Sequence, residues 1–354
     1  MLSFDNPRLK RNNFDLLRLL FAGTVVLVHA AELSGYAQLK SITAYLSTSV
    51  AVRAFFVVSG FLIFMSFERS PTIRRYADKR VRRIYPAYFA VVVLCAVLLL
   101  FVSTKNPAGY FSLEWGKYLV ANLTFLNFLQ PSLPGVFDTN LSSAVNGALW
   151  TLKVEVMFYL LVPLVVFLFR KLGTMRVLVV LYVLSVFYAW GFSYAAESTE
   201  RGLYAILGRQ LPGQLSYFMA GAFFFYELAF FERHAQRFLG VAIIFLFVNA
   251  FWPVPLLEPF ALATVVVYFG LFGFLGNFGR YGDFSYGTYI LHFPIIQILL
   301  YLGWQANSPF LFLGSVVLLT LAGAFLLWHL VEKRFLSRRS HYVEAARSEG
   351  HSAE

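Results

Sequence analysis

The sequence predicts an all-α, polytopic membrane protein with about ten transmembrane helices and both termini in the cytoplasm. Three observations carry this. Of 354 residues, 59% are hydrophobic and only 13% are charged, against about 25% charged in soluble domains. The apolar residues gather into runs of about twenty, the length a helix needs to cross a bilayer. The cations are unevenly placed: with the N-terminus inside, 21 of the 29 Lys and Arg fall in inner segments, five in outer loops and three within spans. That bias is the one the positive-inside rule describes.

The spans run at 14–33, 48–67, 84–103, 146–169, 174–191, 211–230, 238–252, 256–276, 285–303 and 309–332. Each must be helical, because lipid satisfies no open backbone group. The first follows Arg8, Lys10 and Arg11, a pattern shared with secretory signals. Arg18 inside it and the many spans after it make it a retained helix. The basic stretch 68–83 reads as an inner loop, with Pro86 where the third span begins. The long loop 104–145 contains an aromatic, half-apolar segment at 111–130, expected to be interfacial or re-entrant. Residues 1–13 form a cytoplasmic segment and 14–336 the membrane domain. The tail 337–354 is basic, then polar, and is expected to be disordered. The single Cys95 excludes an internal disulfide and a cysteine metal site, and no metal is expected. The net charge of +11 reads as cytoplasmic Lys and Arg, not as a nucleic-acid surface.

Ionisable groups inside a bilayer are costly, so each is a functional candidate. The first span carries Asp15, Arg18, His29 and, at its outer end, Glu32. Arg18 and His29 differ by about 20° on the helical wheel, with Asp15 and Glu32 within about 60° of His29. One polar stripe therefore faces the bundle; the alternative is that Arg18 snorkels to headgroups and His29 bonds a neighbouring carbonyl. A second group is the basic run before Pro86, including Arg80 and Arg83, which sets topology and whose guanidinium forks match phosphate oxygens. Glu155, in an otherwise apolar helix with Lys153 near it, is a candidate base, an anchor for sugar hydroxyls or an orienter of a histidine. His292 precedes Pro294 and is either structural or catalytic. Patterns for nucleotide hydrolysis, zinc proteolysis, serine hydrolysis and dinucleotide binding are lacking.

Taken in order, these residues resemble acyltransferase family 3, the bacterial membrane acyltransferases that modify surface carbohydrates. FDLLRLLFAGTVVLVHA resembles that family's opening helix and places Arg18 and His29. FFVVSGFLI, residues 55–63, resembles its second-helix motif with Ser59 and Gly60. Arg80 and Arg83 fit its Arg-x-x-Arg element, and LWTLKVE places Trp150 and Glu155. YGTYILHFP places Tyr286, Tyr289 and His292, and HLVEKRF places Glu332. The resemblance spans about residues 12–336. Departures are Thr151 where Ser is usual, Val156 and Met157 in place of more polar residues, Arg53 before the second-helix motif, and Arg334 where Pro is common.

The resemblance implies transfer of an acyl group, acetyl above all, from cytoplasmic acyl-CoA to a hydroxyl of an extracytoplasmic or lipid-linked carbohydrate at the bacterial inner membrane. Arg80 and Arg83 would hold the phosphates of CoA, with Arg18 guiding the donor's arm. Arg18 and His29 lie about 16 Å apart along a helix, which suits a donor lying along the helix axis. His29 would be the general base; an acyl-histidine or a relay through Ser59 are the alternatives. Asp15, Glu32, Trp150, Tyr289 and His292 would support or bind substrate. Relatives carrying a separate extracytoplasmic domain leave open a partner protein for this chain. The rival class is a transporter or flippase of a lipid-linked sugar.

Overall fold

The computed structural model describes residues 6–336; the tail expected to be disordered, 337–354, lies outside them, as do residues 1–5. Among the described residues the chain is all helix, with no strand. Ten helices of 14 residues or more follow one another: α1 (Phe14–Ser34), α2 (Thr48–Glu68), α3 (Ile73–Leu98), α4 (Trp150–Leu172), α5 (Thr174–Thr199), α6 (Leu211–Tyr226), α7 (Leu228–Asn249), α8 (Glu258–Leu271), α9 (Phe284–Tyr301) and α10 (Pro309–Leu327). Each apolar segment of the sequence falls on one of them. Six stretches are long and apolar enough to cross a membrane: Phe14–Ser34, Ala37–Glu68, Ile73–Val102, Gly147–Leu172, Thr174–Thr199 and Pro309–Phe335. The chain is a multi-pass membrane protein. The other four helices fall short for visible reasons. α6 and α8 have 16 and 14 residues. α7 is charged at Glu232, Arg233 and Arg237, and α9 is diluted by tyrosines, His292 and Gln297.

Three boundaries need correction, one of them the end of α5, which runs eight residues past 191 to Thr199. The basic stretch expected as a loop is helix: α3 begins at Ile73, so Arg74 through Arg83 occupy its first turns and Pro86 lies inside it. Lys and Arg are good helix formers, and a proline removes one ladder bond without ending a helix that is packed elsewhere. Likewise α7 begins at Leu228, ten residues before its apolar run, through the helix-forming run Glu232 to Arg237. The loop 104–145 carries two short helices, Pro107–Tyr110 and Leu113–Leu123. They are tied to α3: Tyr110 Oη and Trp115 Nε1 both donate to the Ala96 carbonyl, at 3.0 and 2.8 Å, and Tyr88 Oη donates to Asn122 O at 2.7 Å.

The chain forms two compact units. The first comprises Met1–Leu17, Val52–Ala77 and Val154–Asn277. Its core is a close crossing of α2 and α6. A Cβ on Gly60 would sit 2.0 Å from Phe218 O, and one on Gly221 2.1 Å from Val57 O. Only glycine lets the two backbones approach so closely, the small-residue packing typical of helices in lipid. The Phe158 and Phe218 rings stack beside the crossing at 4.1 Å. Buried Asn13 caps the end of α8, donating to Phe269 O at 2.9 Å and accepting from Leu275 N at 2.9 Å. Arg53 pairs with Glu258 at 2.7 Å, and Tyr217 Oη donates to the same oxygen at 3.0 Å.

The second unit comprises Arg18–Ala51, Asp78–Lys153 and Phe278–Glu354. α9 and α10 pack tightly in it, and Val26, Ala30, Ile296, Leu299, Phe312 and Val316 form one apolar cluster. Pro294 has no N–H, so the Ile290 carbonyl four residues earlier loses its ladder partner. Asn146 Nδ2 takes that place at 2.8 Å. Fully buried Gln297, one turn on, donates to Ser142 O and Ala144 O at 2.5 and 2.8 Å. The loop before α4 is thus sewn onto α9.

Candidate active site

Within the second unit the polar residues form two clusters, each built from α1 and α9. The first gathers charges. Gly282, at φ +118° and beneath the Trp328 indole, turns the chain into α9; a Cβ there would lie 2.4 Å from that ring. The turn places Asp283 as N-cap, accepting from Ser285 N at 3.0 Å and from the Ser285 hydroxyl. Its other oxygen accepts from both Arg18 and Arg83. Arg83 also meets Glu332 at 3.4 Å, a residue carried inward by a π-helical turn, Trp328–Glu332. π turns are frequent at functional sites. Side-chain exposure is 1% for Asp283, 3% for Glu332, 12% for Arg83 and 18% for Arg18, so these are interior ion pairs and not surface ones. Two guanidiniums face two carboxylates. Tyr286 Oη donates to Ile84 O at 2.9 Å and its ring lies 5.7 Å from the Arg83 guanidinium, fixing α3 against α9. Arg80 is half-buried one turn before Arg83.

The second cluster is a histidine pair. His29 Nδ1 lies 2.8 Å from His292 Nε2, and His292 Nδ1 lies 2.6 Å from the Tyr289 carbonyl. A carbonyl only accepts, so His292 Nδ1 carries a proton. With both rings neutral, His292 Nε2 is then an acceptor and His29 Nδ1 must donate to it. This leaves the lone pair of His29 on Nε2. His292 is fully buried, His29 half-buried. Tyr289, whose carbonyl anchors the chain of bonds, is held by its hydroxyl to Thr151 Oγ1 at 2.8 Å; Thr151 Oγ1 donates to Ala148 O at 3.1 Å.

The two clusters are matched in register. Arg18 meets Asp283 and His29 meets His292, so α1 and α9 run in the same direction. The clusters are about 14–16 Å apart along the helices.

Of the residues singled out from sequence, Arg18 and Arg83 come together through Asp283, and His29, His292 and Tyr289 come together directly. Trp150 opens α4, half-buried, and Glu32 is exposed. Asp15, Ser59 and Glu155 belong to the first unit. There Asp15 and Ser59 are half-buried, and Glu155 accepts from Tyr159 Oη at 2.5 Å. Asp283 was missed. An Asp before an aromatic-apolar run is an N-cap pattern, and this one lies one residue before the motif that holds His292. Asn146 and Gln297 were missed too; a proline inside a helix asks for a donor to the freed carbonyl, which points to the first of them. Among the described residues no three His, Cys, Asp or Glu side chains gather as metal ligands.

Comparison with known proteins bears on this arrangement. The profile of a family described as an acyltransferase domain matches residues 11–329. An O-acetyl transferase of Shigella phage Sf6 is 27% identical over 342 residues, covering 94% of this chain and 98% of its own length. Nodulation protein 10 of Rhizobium leguminosarum bv. viciae is 26% identical, covering 94% of this chain and 95% of its own. The acyltransferase MdmB of Streptomyces mycarofaciens is 26% identical over 45% of this chain and 40% of its own. No solved structure matches the chain.

Proposed function

From a chain that belongs to the acyltransferase-domain family, and is a membrane acyltransferase, we propose the following transfer. An acyl group, acetyl first of all, moves from cytoplasmic acyl-CoA to a hydroxyl of an extracytoplasmic or lipid-linked carbohydrate at a bacterial inner membrane. The name of the Sf6 relative favours acetyl and an oxygen acceptor. The ten helices would all span, with both termini inside, as the bias in Lys and Arg favours. Membership of an enzyme family sets the transporter reading aside.

The observation that carries the mechanism is the directed chain of hydrogen bonds from His29 through His292 to the Tyr289 carbonyl. It leaves His29 Nε2 as a fixed, unprotonated base, as a triad's third member does for its histidine. In the proposed step the acceptor oxygen attacks the thioester carbon while its proton passes to His29 Nε2. The tetrahedral intermediate then collapses, the C–S bond breaks, and the same proton leaves with the CoA sulfur. The products are an acyl ester and free CoA. His292 is a positioning residue, and Glu155, no longer needed for that role, is assigned to an acceptor hydroxyl. Arg80 and Arg83 would take the donor's phosphates and Arg18 would guide its arm, with Arg18 and Arg83 exchanging bonds now made to Asp283 and Glu332. Asp15, Glu32, Ser59 and Trp150 keep supporting roles.

The test is to incubate membranes holding the wild type or His29→Ala with radiolabelled acetyl-CoA and the host's lipid-linked and capsular glycans. Base-labile label on carbohydrate is expected, with the rate falling about 10²- to 10⁴-fold in the variant, the size of a general-base contribution. Equal labelling by both would remove His29 from the chemistry. Label trapped on the protein without acceptor would replace direct transfer by an acyl-enzyme.

A further inference from the structure

A cavity of about 410 Å³ opens between α7 and α8 in the first unit, and none of the residues assigned above lines it. Its wall is almost wholly apolar. Ala242, Phe245, Leu257 and Ala261 are in its lining, and Phe230, His234 and Arg237 line it toward the start of α7. The one hydroxyl in the wall, on Thr264, already donates to Phe260 O at 2.9 Å. Nothing along the slot therefore asks for water or a polar ligand. The outward face of α7 beside it is exposed and greasy, with Val241, Ile244 and Phe247 each about two-thirds exposed. Such a face in a membrane protein looks at acyl chains.

The cationic end is different in kind. Arg237 is exposed and pairs with no carboxylate among the described residues. Glu232, the nearest acid on the helix, is engaged by Arg8 at 3.2 Å and Asn6 at 2.9 Å. His234 Nδ1–H donates to the Phe230 carbonyl at 3.1 Å, so on a neutral ring Nε2 is an acceptor and the anion falls to Arg237. Arg237 and Phe245 are eight residues apart, about 12 Å along the helix. On the proposed orientation the start of α7 lies at the cytoplasmic surface, and a cation there beside an apolar slot suits a phosphate on an acyl chain.

We infer that this groove is a binding site for an anionic glycerophospholipid, its phosphate on Arg237 and one acyl chain between α7 and α8. The site is independent of the acyl-transfer reaction.

The full-length protein in detergent is titrated with phosphatidylglycerol, and separately with phosphatidylcholine of the same chains, and the adducts are counted by native mass spectrometry. The wild type should prefer phosphatidylglycerol by about fivefold, the effect of one Arg at an anionic headgroup. Arg237→Gln, at an exposed position, should fold normally and lose the preference. Ala242→Phe should fill the slot and weaken both lipids; its elution as a monodisperse species checks the fold, and Ala261→Phe from the facing helix repeats the test if it does not. Equal binding of the two lipids by the wild type overturns the proposal. So does a preference that survives Arg237→Gln, or adducts unchanged by filling the slot.

Discussion

Asp283 holds two arginines together inside the protein, through one carboxylate oxygen. Removing a single partner of a buried ion pair leaves uncompensated charge and costs about 3–5 kcal/mol. Asp283→Asn should therefore lower the unfolding midpoint of the purified protein markedly, whereas Asp78→Asn, which touches only exposed Arg82, should leave it within about 0.5 kcal/mol of wild type. The histidine pair makes a sharper prediction. His292→Ala removes the acceptor that fixes the His29 tautomer, and kcat should fall about 10²- to 10⁴-fold with KM for acyl-CoA little changed. His292→Gln can still present an acceptor there and should recover part of the loss. An unchanged kcat in His292→Ala would end the positioning role. Arg18 and His29 were legible in the sequence because a charge in an apolar run stands out. His292 stands out in the same way, but Asp283 and the two pairings do not. The paired residues lie 265 and 263 positions apart, and Asp283 looks like an ordinary helix cap.

At the scale of elements, hydropathy located every long helix but misplaced one end each of α3, α5 and α7. It reads the part of a helix that lipid touches. α3 and α7 continue into charged turns outside their apolar runs, and only helix propensity reports those. The close approach of α2 and α6 was half legible. Gly60 sits within the FFVVSGFLI motif, but the carbonyl it makes room for is on a helix about 150 residues later. Gly221→Leu should push α2 and α6 apart and destabilise the protein by about 1–3 kcal/mol, as overpacking does, read as a lower thermal midpoint. The proline in α9 gives another test. Asn146→Ala strands the Ile290 carbonyl in a buried place, at a cost of about 1–3 kcal/mol, and should loosen the loop before α4, measured as faster hydrogen exchange at Ser142 and Ala144.

For the whole molecule, the alternation of spans can be tested directly. Cys95 is the only cysteine, so a Cys95→Ser background accepts single reporters. Ser70→Cys, between α2 and α3, should be shielded in intact cells from a membrane-impermeant maleimide, and Ser142→Cys should be labelled. The reverse pattern would invert the orientation proposed here. The arginine cluster has one more consequence, for the making of the protein. Arg18 emerges from the ribosome 265 residues before Asp283, roughly 13–50 s earlier at about 5–20 residues per second. Until α9 is inserted, the first helix must sit in or beside the translocon without the carboxylate that later holds it. Chains that stop short of residue 283 keep that defect permanently, and the cell's membrane proteases should clear them.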